Sequence, residues 1–133
     1  MRTTRHLLRS LTILPLLSML MLTACGQAGK SSATNPDAFE QAITAKAQLI
    51  DVRTAGEYAN GHLKGARNLD WTNGELKSAM VELDKSAPVL VYCASGRRSA
   101  AAREALVKAG FKDVTDLAGG IQAWTANGKP VVR

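Results

Sequence analysis

From residue 37 onward the apolar positions alternate between a helical period and short unbroken runs. Over residues 37–45, Phe39, Ala42 and Ile43 fall on one face of a helix, with Asn35 as its cap and Pro36 in its first turn. Residues 48–52 read as a short strand. Thr54 caps a brief helix over 55–60, with Glu57 placed as in a capping box, and Gly61 ends it. Residues 66–69 predict a second short strand. Leu76, Met80 and Leu83, spaced four and three apart, mark a helix within 74–83. Residues 88–92 form a continuous apolar run, the pattern of a strand buried on both faces. A helix over 99–109 is stopped by Gly110, a strand follows over 114–117, and Gly119-Gly120 precede a last helix over 121–126. Strands alternating with helices predict an α/β fold, a mainly parallel central sheet with helices on both faces. Sites in such sheets gather beyond the carboxyl ends of the strands, where both Asp51 and Cys93 fall.

The N-terminus has a different character. Arg2, Arg5 and Arg9 precede an apolar stretch over 11–22 that is shorter than the about 20 residues a spanning helix needs. This is the pattern of a secretory signal. Its end, Leu22-Thr23-Ala24-Cys25-Gly26, resembles a bacterial lipobox, which implies lipidation of Cys25 as the first mature residue; the alternative is an ordinary signal with small residues at its cleavage site. Lipid on Cys25 predicts an exported periplasmic or cell-surface lipoprotein, held to the membrane through its anchor. Residues 26–36 are small and polar without apolar periodicity. The organisation expected is therefore a signal peptide over 1–24, a lipidated cysteine and flexible tether over 25–36, and one compact domain over 37–133.

Charge and cysteine usage narrow the function. The formal net charge of +6 includes three of the 17 basic residues in the signal segment. The remaining fourteen face 11 acidic residues, and no Lys/Arg cluster is interleaved with aromatics, so a nucleic-acid partner is not expected. No His/Cys group has metal-ligand spacing, and neither a metal nor another cofactor is expected. With Cys25 lipidated, Cys93 has no partner for an intramolecular disulfide.

Cys93 follows the apolar run and opens Cys93-Ala94-Ser95-Gly96-Arg97-Arg98-Ser99, just before a helix. Unpaired N–H groups and the helix dipole stabilise a thiolate there and can bring a cysteine pKa from ~8.5 down to ~3.5–7.5. The thiolate is the nucleophilic form, which makes Cys93 a candidate catalytic residue; the alternative is a small buried hydrophobe. Gly96 lets the backbone curl into an anion nest, with Arg97 and Arg98 adding positive charge at the rim. Arg98 is expected to turn its guanidinium across the loop or toward substrate, and Ser99 to cap the helix.

Taken in order, Leu49-Ile50-Asp51-Val52-Arg53, Glu57-Tyr58, Gly61-His62-Leu63-Lys64-Gly65-Ala66-Arg67-Asn68, Val91-Tyr92-Cys93 through Ser99, and Leu117-Ala118-Gly119-Gly120-Ile121 with Trp124 resemble a single-domain rhodanese, a sulfurtransferase module. The likeness runs from about Phe39 to Trp124, and within the family it is greatest to small exported members of the phage-shock type. The resemblance implies that Cys93 attacks the outer sulfur of a donor such as thiosulfate, releases sulfite, and passes the persulfide sulfur to cyanide or a thiol. A six-residue loop from Cys93 to Arg98 is the size this family uses for sulfur, one residue shorter than in related phosphatases and arsenate reductases. Two arginines favour a small dianionic donor over mercaptopyruvate.

Supporting roles follow for other residues. Asp51 is expected to orient the loop or pair with an arginine, and Arg53 with Glu57 to form an ion pair shaping the neighbouring turn. His62 is expected to hold the 61–65 turn by hydrogen bonds rather than act as a base. Trp71 is a candidate for the pocket mouth and Trp124 for core packing. Two other functions share the same cysteine: a membrane-tethered carrier delivering persulfide sulfur to a protein partner, and a thiol redox sensor.

Overall fold

The computed structural model describes residues 29–133; the signal segment and Cys25 lie outside the described residues. The chain order is β1 (Lys30–Thr34), α1 (Pro36–Ala42), β2 (Gln48–Asp51), α2 (Ala55–Ala59), β3 (Arg67–Asn68), α3 (Glu75–Ala79), β4 (Val89–Tyr92), α4 (Arg97–Lys108), β5 (Asp113–Leu117) and α5 (Gly120–Ala126). The five strands form one parallel sheet in the order β1-β5-β4-β2-β3.

The period of two along the central strands sorts their side chains into two cores. Ile50, Val89, Val91 and Val114 face Leu76 of α3 and Leu106 of α4. Leu49, Leu90, Tyr92 and Leu117 face Phe39 of α1 and Trp124 of α5. Every residue of β4 is buried, as its unbroken apolar run predicts. Phe39 and Trp124 meet edge to face with ring centroids 6.5 Å apart, which places Trp124 in the core.

Local signals set several boundaries. The Asn35 side chain accepts from the Ala38 N–H at 2.9 Å, with Pro36 opening α1. In α2 both halves of the capping box form: Thr54 Oγ1 accepts from the Glu57 N–H, and Glu57 Oε2 accepts from the Thr54 N–H. Helix α1 ends at Ala42 rather than 45, because Ile43 is extended and its N–H closes a tighter turn on the Glu40 carbonyl. The second short strand and the third helix are likewise shorter than their apolar patterns.

The larger difference is β1. Residues 30–34 fall within the expected tether, yet pair in parallel with β5 from Lys30↔Asp113 to Thr34↔Leu117. The exposed edge of β5 offers a row of backbone donors and acceptors that a small polar segment can satisfy without apolar side chains. Residues 30–34 are thus part of the folded sheet rather than a tether. At the other end, His62 and Val132 exchange backbone hydrogen bonds of 2.9 Å, and Trp124 Nε1 donates to the Pro130 carbonyl.

Candidate active site

Cys93 stands one residue past the end of β4, and Asp51 closes the neighbouring β2, so both lie at the carboxyl edge of the sheet. The Cys93 side chain is buried. The Gly96 N–H donates to its Sγ at 3.0 Å, and Ser99 Oγ lies 3.5 Å away. Burial pushes the thiol up. The Ser99 hydroxyl and the N–H groups of Ser99, Gly96 and Ser95 more than offset that, and the thiol ends below its usual range.

The loop's conformation explains this convergence of donors. Gly96 has φ +99°, a left-handed conformation that turns the chain into α4 directly. Helix α4 therefore begins at Arg97, two residues earlier than its pattern predicts. The loop read as Cys93 to Arg98 is irregular only through Gly96, and Arg97 and Arg98 form the first helical turn. Ser99 is not the cap. It sits inside that turn, fully buried, with its hydroxyl directed to Sγ and to the Gly96 carbonyl at 3.3 Å. The twelve residues of α4 then aim their N-terminal dipole at the sulfur.

Helix α5 holds the other side of the loop. Ile121 N–H donates to the Cys93 carbonyl at 2.8 Å, and Gln122 N–H to the Ala94 carbonyl at 3.1 Å. With the Ala94 carbonyl turned toward α5, the Ser95 N–H of the same peptide points the opposite way, toward the sulfur. The contact is close because Gly120 lacks a side chain: a Cβ there would lie 2.5 Å from the Cys93 and Ala94 carbonyl oxygens. This docking role of Gly119-Gly120 escapes a reading of the sequence. Two adjacent glycines before a helix are its only local trace.

The charged residues pair differently from expectation. Arg53 does not bind Glu57. It binds Asp51, with Nη2 to Oδ2 at 2.6 Å and Nε to Oδ1 at 3.0 Å, and its Nη2 also donates to the Gly61 carbonyl. Burial opposes the Arg53 charge, but Asp51 outweighs it and the guanidinium pKa is raised. The pair is a structural bracket between the β2 end and the 61–65 turn. Glu57 instead takes Arg98 in a two-point grip of 2.8 Å and 2.8 Å. Arg98 holds the Glu57 carboxyl down to about 2, with the Thr54 contacts adding to it against burial. The Arg98 guanidinium is thereby directed across the loop to α2, and its charge is largely matched. Arg97 is exposed and has no salt bridge among the described residues, so it is the arginine left at the rim.

His62 contacts Tyr58 of α2. Its Nδ1 lies 3.0 Å from the Tyr58 carbonyl and its ring stacks on Tyr58 at 3.7 Å. Ala94 is half-buried and Ser95 exposed, which gives the loop an opening toward solvent. Trp71 is partly buried against the core that includes Cys93. Among the described residues, no group of three or more His, Cys, Asp and Glu is placed to hold a metal ion.

Comparison with known proteins gives concordant matches. A family model described as "Rhodanese-like domain" matches residues 35–127. The "Thiosulfate sulfurtransferase GlpE" of Stutzerimonas stutzeri is 35% identical over 89 residues, covering 67% of this chain and 80% of that protein. The "Uncharacterized protein YqhL" of Bacillus subtilis is 40% identical over 79 residues, covering 59% of this chain and 61% of that protein, so the likeness spans about three fifths of its length. Among solved structures, a rhodanese-related protein from Thermoplasma volcanium superposes with a TM-score of 0.68 at 33% identity, over 76% of this chain and 97% of that one.

Proposed function

This chain belongs to the rhodanese-like domain family, and from that we propose that it is a thiosulfate sulfurtransferase working through a persulfide on Cys93. The observation that carries the reading is the set of donors converging on Cys93 Sγ at the N-terminus of α4. The Cys93 thiolate attacks the outer sulfur of thiosulfate. The sulfur–sulfur bond of the donor breaks, and its electron pair leaves with sulfite. Cys93 then carries a persulfide anion whose terminal sulfur lies farther out from the loop. Cyanide or a thiolate attacks that terminal sulfur, and Cys93 returns as a thiolate. Each step conserves charge and needs no oxidant. The N–H groups and Ser99 stabilise anionic sulfur in both states, as preorganised dipoles do at a developing charge. Arg97 supplies the unmatched positive charge for an approaching dianion.

The test is thiocyanate formation from thiosulfate and cyanide. Turnover that vanishes in Cys93→Ala supports the enzyme. Persulfide loading without turnover refutes it and leaves the sulfur-carrier role. Activity surviving in Cys93→Ser defeats both.

We also propose that the protein is exported and anchored to a membrane by lipid on Cys25. The signal-like segment and the Leu22–Gly26 pattern support this. Because β1 begins at Lys30, the residues between the lipid and the domain can span at most about 18 Å. Mass spectrometry of membrane-extracted protein tests it: an unmodified N-terminus at Gly26 or beyond refutes the anchor.

A further inference from the structure

Arg97 and Arg98 are neighbours in the first turn of α4, yet only Arg97 is free. Arg98 is gripped by Glu57 at two points, both 2.8 Å, and Glu57 is its only salt-bridge partner among the described residues. The carboxylate is itself held by α2: Glu57 Oε2 accepts from the Thr54 N–H at 3.1 Å and from Thr54 Oγ1 at 3.0 Å. The capping box thus fixes the acceptor independently of Arg98. Asp70 adds a more distant attraction, but its Oδ1 is taken by the N–H and hydroxyl of Thr72, each at 2.7 Å. Arg98 otherwise stands where a cation could serve the site. It precedes Ser99, whose Oγ lies 3.5 Å from Cys93 Sγ. The Arg98–Glu57 pair is a quarter to a third exposed, so water reaches it and the grip is not locked by burial. The transfer chemistry described above has no need of this grip, and a doubly charged donor would bind more tightly without it.

We propose that Glu57 is a specificity-determining residue: by holding Arg98 on α2 it leaves the loop one unmatched guanidinium, Arg97, and so limits how tightly a doubly charged ligand is held beside Cys93. Two such ligands meet the loop in one turnover. Thiosulfate arrives with a compact oxyanion end, and sulfite leaves carrying the same oxygens. A guanidinium fork that grips one grips the other. A second free guanidinium would therefore tighten the donor and also retain the product, in the space the acceptor needs to reach the persulfide. Holding donor and product equally well lowers no barrier, since only interactions stronger in the transition state accelerate the reaction. The inference rests on the sulfurtransferase reading for naming thiosulfate and sulfite; the withdrawal of Arg98 from the loop does not.

The experiment compares alkylation of Cys93 in the full chain by iodoacetate, an anion, and by iodoacetamide, its neutral counterpart, at one pH. The ratio of the two rates cancels changes in thiolate population and reports the positive charge beside Sγ. Glu57→Gln keeps an oxygen for the Thr54 N–H and removes the charge that holds Arg98. It is expected to raise the ratio about fivefold, the effect of one unit charge about 4 Å away in water. In the Arg98→Gln background the same substitution should raise it less than half as much on a logarithmic scale. With thiosulfate and cyanide, Glu57→Gln should lower the KM for thiosulfate and the inhibition constant of sulfite together, each roughly tenfold for a doubly charged ligand, with no gain in kcat. An unchanged ratio in Glu57→Gln overturns the proposal, as does a rise of equal size with Arg98→Gln in place, which would be the loss of the Glu57 charge alone. Should Glu57→Gln not fold, Arg97→Gln and Arg98→Gln decide: the first should lower the ratio more than the second, and the reverse order would show Arg98 already serving the loop and overturn the proposal. Because alkylation needs no thiosulfate, the ratio tests the withdrawal of Arg98 even where the sulfurtransferase reading fails.

Discussion

Gly120 is the position where a single methyl group should separate the stability of the loop from that of the rest of the domain. Its φ is +61°, and a Cβ would stand 2.5 Å from the Cys93 and Ala94 carbonyl oxygens. Ordinary contact requires the loop to retreat by about 1 Å. That retreat loosens the Ile121-to-Cys93 and Gln122-to-Ala94 hydrogen bonds, worth roughly 1 kcal/mol each. The left-handed backbone adds about 1–2 kcal/mol for any residue with a side chain. Gly120→Ala should therefore cost about 3–4 kcal/mol. Gly128→Ala is the control: φ is +72° there, but no atom lies within 4 Å of the added Cβ, so only the about 1–2 kcal/mol of backbone cost applies. In urea the two variants should differ by about 1 M in midpoint, taking a slope of roughly 2 kcal/mol per M. Because the same retreat withdraws N–H groups from Sγ, Gly120→Ala should also move Cys93 alkylation to higher pH and lower thiocyanate production at least tenfold, while Gly128→Ala leaves both near the wild type. Equal midpoints for the two variants would refute the claim that α5 clamps the loop.

Other perturbations test the paired charges and the thiol. Asp51→Ala leaves Arg53 charged at 5% exposure and should cost about 3–5 kcal/mol in urea unfolding, with part recovered in Asp51→Ala/Arg53→Leu. The Glu57–Arg98 pair depresses the folded-state pKa of Glu57, so its stabilisation is present above the usual carboxylate range near 4.3 and disappears as pH falls toward 2. With both side chains about a quarter to a third exposed, solvent screening limits this to about 1 kcal/mol or less, and Glu57→Gln should lack that acid-dependent component between pH 5 and 2. Alkylation of wild-type Cys93 should have its midpoint below the ~8.5 of an ordinary thiol, and a midpoint above that pH would contradict the stabilised thiolate. Cys25→Ser should move the protein from the membrane fraction to the soluble fraction, and unchanged membrane retention would contradict the lipid anchor.

The local pattern reached far in this protein. The run at β4 identifies a buried parallel strand because both of its faces are covered and all four of its side chains are buried. The Asn35-Pro36 start and the Thr54/Glu57 box identify two helix N-termini, because capping is chemistry between residues three apart. Cys93 at the end of a strand, with Gly96 and Ser99 following, is legible for the same reason: the loop and the helix that stabilises the thiolate are contiguous in the chain.

What the sequence could not determine by itself is whatever depends on residues brought together from afar. Residues 30–34 carry no strand signal, since β1 is ordered by the free edge of β5, 83 positions away in register. Arg53 stands near both Asp51 and Glu57 in the chain. The choice goes to Asp51 because Arg98, 41 positions on, arrives with α4 and takes the Glu57 carboxylate. The clamp of Gly120 on the loop exists only once α5 has packed against the residues that follow β4. Hydrophobic period and capping are properties of neighbours in sequence, and they fix which elements form. Ion-pair partners, close backbone approaches and buried acids are properties of neighbours in space, and they decide how Cys93 is held.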